Sequence, residues 1–212
     1  MRPGALRPYE DALQGGGGLL QLHAPGRRAM VLDVERWLAP ADDVDRHAVL
    51  GSTGPVLDVG CGPGRLVHLL HAHGVEVLGI DIAEVAVSLA RGTGAQAEHR
   101  DVFGPLPREG SWATVLLLDG NIGIGGDPGR LLRRVQDLLA PGGRVVIETD
   151  PDDDIDTHGW VRFARNDVPI GVPFLWSRVG VHGLRTRLLP TTAFAVESVC
   201  RVGGRCFVTL QL

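Results

Sequence analysis

Residues 55–65, PVLDVGCGPGR, constrain this chain more than any other stretch. A short apolar run (Val56, Leu57, Val59) ends in glycines at every second position, Gly60, Gly62 and Gly64. An amphipathic stretch, Leu66 to Leu70, follows at once. The pattern predicts a buried strand turning tightly into a helix, with no Cβ to hold a ligand's polar groups away from the backbone. The helix start adds unpaired N–H groups, and Pro63 suits a first turn because it has no N–H to leave unbonded. A chain built around this turn binds a small molecule there.

Spacing narrows the ligand. A P-loop needs a lysine after its last glycine, and all 21 basic residues here are arginine. A dinucleotide fingerprint wants G-x-G-x-x-G, but here the third glycine comes one residue early and Arg65 stands in its place. A short nicotinamide-dependent reductase is further opposed by the absence of any Tyr-x-x-x-Lys pair. Asp58 sits two residues before the first glycine, and Asp-x-Gly-x-Gly-x-Gly resembles motif I of the class I S-adenosylmethionine-dependent methyltransferases.

Four companions follow in order. Val75 to Asp81 reads as a second strand ending in an acid, at about the remove from the turn where a carboxylate meets ribose hydroxyls. Ala95 to Asp101 reads as a third strand, again ending in an acid, and Trp112 to Leu118 as a fourth, running into Asp119-Gly120-Asn121. Pro141-Gly142-Gly143 before Arg144 to Glu148 matches the family's turn into a fifth strand. The resemblance covers residues 55–150 and implies a cofactor set of Asp58, Gly60, Cys61, Gly62, Gly64, Asp81, Ile82, Asp101, Val102 and Asp119. Asp81 also reads as a helix cap, Asp101 as ordinary turn chemistry before Gly104-Pro105, and Asp58 as a brace for the turn.

The implied fold is α/β: a Rossmann-like seven-stranded sheet, six strands parallel and the seventh antiparallel, with helices on both faces. It is one domain in four parts. Residues 1–54 form an N-terminal helical extension, flexible at Arg2-Pro3-Gly4 and Gly15 to Gly18, with helices predicted over Arg27–Leu38 and Val44–Leu50. Residues 55–150 hold the cofactor, with a helix over Pro128–Leu139, and 151–192 insert a small lid after strand five. Residues 193–212 close the sheet as a hairpin turning at Gly203-Gly204, which would set Arg201 opposite Cys206.

The net charge of −4 argues against a nucleic-acid partner, and no apolar run approaches a membrane span. The odd cysteine count reads as reduced thiols, Cys61, Cys200 and Cys206, of a cytoplasmic protein, monomer or homodimer. The acceptor is expected to be a small molecule, because the loop after strand four lacks the Asn/Asp-Pro-Pro-Tyr/Phe signature of base and glutamine methylation. Asp119, Asn121 and His158 are candidates for holding or deprotonating it. Tyr9, Trp160, Arg162, Arg165, Trp176 and Arg178 are candidate acceptor contacts, since arginine forks beside aromatic walls suit an acidic or planar ligand. Equally, the lid arginines pair with the acidic run Asp150 to Asp156 and the tryptophans pack on the N-terminal helix. That run and His158 could be a metal site, but the reading preferred is a solvated loop without metal. His68, His71 and His73 read as surface residues. The expected activity is in-line methyl transfer from S-adenosylmethionine to O or N of a small acidic or aromatic metabolite. The alternative is a non-catalytic S-adenosylmethionine- or nucleoside-binding regulatory or partner subunit.

Overall fold

The computed structural model describes residues 4–15, 19–24, 26 and 29–212. In chain order the elements are α1 (Arg7–Leu13), β1 (Leu20–His23), β2 (Met30–Val31), α2 (Val34–Leu38), α3 (Asp43–Val49), β3 (Val56–Val59), α4 (Arg65–Ala72), β4 (Val77–Asp81), α5 (Glu84–Gly92) and β5 (Ala97–His99). They continue with β6 (Trp112–Leu117), α6 (Pro128–Leu138), β7 (Leu139–Thr149), β8 (Asp156–Arg165), β9 (Val168–Val179), β10 (Ala195–Val202) and β11 (Arg205–Gln211).

The main sheet has the order β10-β11-β7-β6-β3-β4-β5. Strands β3 to β7 pair in parallel, and β11 lies antiparallel between β7 and β10, so six strands run one way and one the other. This is the expected fold. Its physical basis is the alternation along each central strand. In β6, Val115 and Leu117 face one core with Leu131, Leu132, Val135 and Leu138 of α6, while Leu116 turns to the other with Leu66, Val67, Leu69 and Leu70 of α4. Each such leucine contributes about 1.5–3 kcal/mol by leaving water, so the sheet needs helices on both faces. The closing hairpin turns at Gly203-Gly204, both at positive φ, with Arg201 opposite Cys206 as the sequence predicts. All three cysteines are free thiols.

A second sheet, order β2-β1-β8-β9, is antiparallel throughout and forms a roof over the main sheet's carboxyl edge. Here the structure corrects the helix predicted over Arg27–Leu38. Helix forms only from Val34, where Asp33 caps it by accepting the Arg36 N–H, and Met30-Val31 instead pairs with Leu22 and Gln21 of β1. Pairing won over the helical spacing of Met30 and Val31 because β1 would otherwise be an open sheet edge. The N-terminal extension is thus half helix and half roof. Gly16 to Gly18, Arg2, Pro3, Arg27 and Arg28 lie outside the described residues. No described helix is long and apolar enough to cross a membrane.

The roof is fastened to the loop after β6. Ile124 bridges Trp176, and the Ser177 hydroxyl donates to the Gly126 carbonyl at 2.9 Å. Gly123 allows this contact: a Cβ there would stand 2.2 Å from the Ser177 carbonyl oxygen.

Candidate functional site

Between roof and glycine turn lies a cavity of about 1010 Å³, counting its open mouth. Its floor is the Gly60–Pro63 turn, its flank Asp81, Ile82, Asp101 and Val102, and its far wall Asp119, Asn121 and Ile124. Tyr9, Trp37, Phe163, Phe174 and Trp176 close it from above, so half of the chain's aromatic side chains line one space. The rings meet edge to face, Tyr9 with Trp37 at 5.8 Å and Phe174 with Trp176 at 6.3 Å between centroids.

The turn has the geometry that only glycine tolerates. Gly60 and Gly62 sit at φ +72° and +55°, and a Cβ on Gly60 would lie 2.6 Å from Asn121 Nδ2. Asn121 braces this turn, donating to the Val59 carbonyl at 2.8 Å and the Gly60 carbonyl at 3.1 Å. Asp81 serves both roles that its position allows. One oxygen accepts the Ala83 N–H at 2.8 Å, fixing the entry to α5, and the other accepts the Gly62 N–H at 2.9 Å. Burial pushes its pKa up against those bonds. A carboxylate has about four lone-pair sites, so two remain for a ligand. Asp101 accepts the Phe103 N–H at 3.0 Å and stays exposed at the cavity's end.

Asp58 lies behind the turn rather than on the cavity wall, 2 % exposed, and its Oδ2 has no hydrogen-bond partner. Burial pushes its carboxyl up to about 7, against the pull of the Arg65 guanidinium. Gly64 also leaves the wall; in the left-handed region, it starts α4.

Arg65, in the place of a dinucleotide motif's last glycine, is a structural ion in a buried network. It donates to both oxygens of Asp45, at 2.8 and 3.0 Å, and to Asp119 at 2.8 and 3.2 Å. Arg205 joins Asp45 to Glu148, Arg36 of α2 reaches Asp119 and Asp45, and Glu148 accepts the Asp119 N–H. Burial alone would raise the Asp45 pKa, but its bonds to Arg65 and Arg205 hold it down at about 2. The loop so anchored includes Asp119 itself, at φ +56°. Its carboxylate faces the cavity but is already committed to arginines.

A second cavity opens beyond the first and shares Met30, Leu32, Trp37, Asp119 and Trp176 with it. Of the residues expected at the acceptor, Tyr9 and Trp176 line the first cavity and Arg178 the second. Trp160 and Arg162 stand exposed on the roof's outer face, and Arg165 also lies off both cavities, with Nε and Nη2 buried and unbonded. His158 is exposed in β8 opposite Ser177 and lines neither cavity. Three of the five acids of the run pair with arginine: Asp150 with Arg178 at 2.6 Å, Asp153 with Arg201 and Asp156 with Arg187. Among the described residues no group of three or more acids, histidines or cysteines stands ready for a metal. Trp37, Met30 and Leu32 were not foreseen at the site; the helical spacing of Met30 and Val31 concealed the strand that brings this segment to the cavity. Phe163 and Phe174, on the inner faces of β8 and β9, were not named at the site either, although the alternation of buried and exposed positions along a strand would mark them.

Comparison with known proteins agrees with this architecture. A family described as a methyltransferase domain matches residues 32–182. A ubiquinone biosynthesis O-methyltransferase of Acinetobacter baylyi is 31% identical over 114 residues, 50% of this chain and 48% of that protein. A trans-aconitate 2-methyltransferase of Paracidovorax citrulli is 27% identical over 154 residues, 71% of this chain and 58% of its own. The chain thus spans about half the length of the curated relatives it matches. A Bacteroides fragilis S-adenosylmethionine-dependent methyltransferase, crystallised with S-adenosyl-L-homocysteine, superposes with a TM-score of 0.76 at 21% identity, covering 95% of this chain and 91% of that one. With the family match extending over most of its length, the chain belongs to the methyltransferase domain family.

Proposed function

We propose that the chain transfers a methyl group from S-adenosylmethionine, in line, to an O or N atom of a small aromatic acceptor. The observation that carries this is the single space running from the glycine turn past Asp81 and Asp101 to the aromatic underside of the roof. Donor and acceptor can meet there away from bulk water. The donor, when bound, supplies a sulfonium methyl already activated for displacement.

The residues present fit that group. Gly60 and Gly62 leave the backbone bare for its methionine end, and the orphaned Oδ2 of Asp58 awaits a cationic partner for which an ammonium is suited. Asp81 keeps acceptor sites for two ribose hydroxyls, and Asp101 with the Val102 backbone stands at the adenine end. These assignments follow the resemblance, and the cavity lining supports all but Asp58 directly.

The acceptor reading shifts from acidic towards aromatic. The three lid arginines named for an acidic ligand are exposed, off the cavity, or bonded to Asp150. Five aromatic side chains remain to sandwich a planar ring. Asp119 and Asn121 act by holding the wall in place, the first through Arg36 and Arg65, the second through the turn carbonyls. Burial keeps the Tyr9 phenol protonated, and exposed His158 lines neither cavity. Alignment and exclusion of water therefore do most of the work, with the acceptor's own lone pair as nucleophile.

Calorimetric titration with S-adenosylmethionine, S-adenosyl-L-homocysteine and NAD tests the donor: binding of NAD without S-adenosylmethionine overturns the proposal. A screen of cell extract with methyl-labelled donor tests the transfer. Tight donor binding with no labelled product from any extract would favour the non-catalytic binding subunit.

A further inference from the structure

The acid at the far end of the donor cavity stands on a stretch with no regular structure of its own. From Arg100 to Ser111, between β5 and β6, the chain forms neither helix nor strand. Asp101 is held in a turn all the same. Its Oδ1 accepts the Phe103 N–H at 3.0 Å and its backbone carbonyl accepts the Gly104 N–H at 2.9 Å, whereas Oδ2 has no protein partner among the described residues. Asp101 is exposed and lines the cavity, which leaves its carboxylate within reach of a ligand.

The turn is held from outside by α6. Arg134 donates from Nε to the Val102 carbonyl at 2.8 Å and from Nη2 to the Gly104 carbonyl at 2.7 Å. The same guanidinium bonds Glu109 through Nη1 at 3.0 Å and Nη2 at 2.6 Å, and Glu109 accepts the Leu106 N–H at 2.8 Å. One turn back on the helix, the Arg130 guanidinium lies over the Phe103 ring, 4.0 Å from its centroid. The two arginines clamp the loop to a rigid support, because Leu131, Leu132, Val135 and Leu138 seat α6 in the core. Neither arginine lines a cavity, so any effect on a ligand passes through the turn. A planar fork of donors suits this work, whereas a lysine ammonium lacks the geometry that fixes both carbonyls together.

We infer that Arg134 is a positioning residue for the donor: by clamping the 101–104 turn to α6, it sets the Asp101 carboxylate to read the 6-amino group of the adenine ring. The inference rests on the methyl-transfer reading of the same cavity and adds a residue outside it on which donor specificity depends. An ionised carboxylate only accepts hydrogen bonds, so it takes a ring amino group and repels a ring carbonyl in the same place. A 6-oxo purine is refused only while the acid is held against it. A loosened turn lets Asp101 swing aside, and the site then discriminates less.

The probes are S-adenosyl-L-homocysteine and S-inosyl-L-homocysteine, which carry an amino group and a carbonyl at the same ring position. Calorimetry gives the ratio of their affinities. The wild-type protein is expected to bind the adenine compound at least about tenfold more tightly. In Arg134→Ala the ratio is expected to fall about 3- to 10-fold, and in Arg134→Lys, which keeps a cation opposite Glu109, by less. Arg108→Gln, in the same stretch but paired with Glu76 at the surface, should keep the wild-type ratio. General weakening of the site would lower both affinities together and leave the ratio alone. If the wild-type protein binds neither compound, the methyl-transfer reading fails and this inference with it. Equal binding of both compounds, or an unchanged ratio in both Arg134 variants, overturns the inference while the cofactor reading stands. Should Arg134→Ala fail to fold, Arg134→Lys decides alone.

Discussion

The glycine turn and the roof face each other across one cavity but are assembled differently. The turn and its two acids come from a single run of chain, residues 55–102, in which each functional group lies at the end of the strand that positions it. The roof joins distant segments: Leu20 lies opposite Arg165, Leu22 opposite Phe163, and Ile124 bridges Trp176. One side is fixed by local backbone geometry, the other by long-range pairing that closes only when the whole chain is in place. The donor side can therefore stay constant while the roof, and with it the acceptor, changes.

Asp45 is where the two sides are tied, and its removal should have the largest effect. Its side chain is fully buried and bonded to Arg65 of the donor side, Arg36 of the roof side and Arg205 of the closing hairpin. Removing one member of such a set strands buried guanidinium groups, so Asp45→Ala is expected to cost about 3–5 kcal/mol in urea unfolding. The folded-state pKa is depressed to about 2, so the stabilisation from Asp45 is complete above its ordinary value near 3.8 and is lost as the pH falls from there through about 2. A loss below 1 kcal/mol would mean that the two sides are held together elsewhere.

Gly123→Ala should separate the sides without unfolding either. The new methyl meets the Ser177 carbonyl, which belongs to the roof, whereas the glycine turn is untouched. Overpacking of this kind costs about 1–3 kcal/mol. Faster hydrogen exchange is expected in β9, together with loss of acceptor turnover and donor affinity within a few-fold of wild type. Donor and acceptor functions lost in equal measure would show that the roof also builds the donor site.

What the sequence disclosed follows the same division. Asp81 and the Gly60–Gly64 turn were legible because strand-end acids and positive-φ glycines leave their mark within a few residues. Trp37 does lie on a helix, as read, but the helix was drawn too long, since nothing near it reveals that Met30 pairs with Leu22. Arg65 appeared only as a missing glycine; its partners Asp45 and Asp119 lie 20 and 54 residues away. Ion-pair networks of that reach have no periodicity to read. The even choice between acid recognition and charge pairing for the lid arginines was decided at Arg178 and Arg187 by the acidic run they touch.

A third test isolates the donor side through its one orphaned acid. With its carboxyl raised to about 7, Asp58 holds a proton in the folded chain between about pH 4 and 7 that the unfolded chain has released. Its contribution to stability therefore falls as the pH rises through that window. Binding of a cationic donor runs the other way, because it needs the carboxylate. If Asp58 receives the ammonium, affinity for S-adenosylmethionine should rise to a plateau above pH 7 and be about tenfold weaker at pH 6, where about a tenth of the groups are ionised. Calorimetry across pH 5.5–8.5 measures this, and Asp58→Asn should flatten the curve.

The smallest effect is expected where the roof's root meets solvent. Asp156 pairs with Arg187 and Asp153 with Arg201 along the acidic run, all four side chains more than a quarter exposed. Pairs of this kind contribute about 0–1 kcal/mol, because water screens them and two long side chains must be held still. Asp156→Asn should thus lower the melting temperature by no more than about 3 °C. Millimolar magnesium should leave it unchanged, since Asp150, Asp153 and Asp156 of the run are already bonded to guanidinium groups. A rise with magnesium that Asp156→Asn abolishes would instead make this loop a chemical site, and the roof would then contribute more to the reaction than apolar walls.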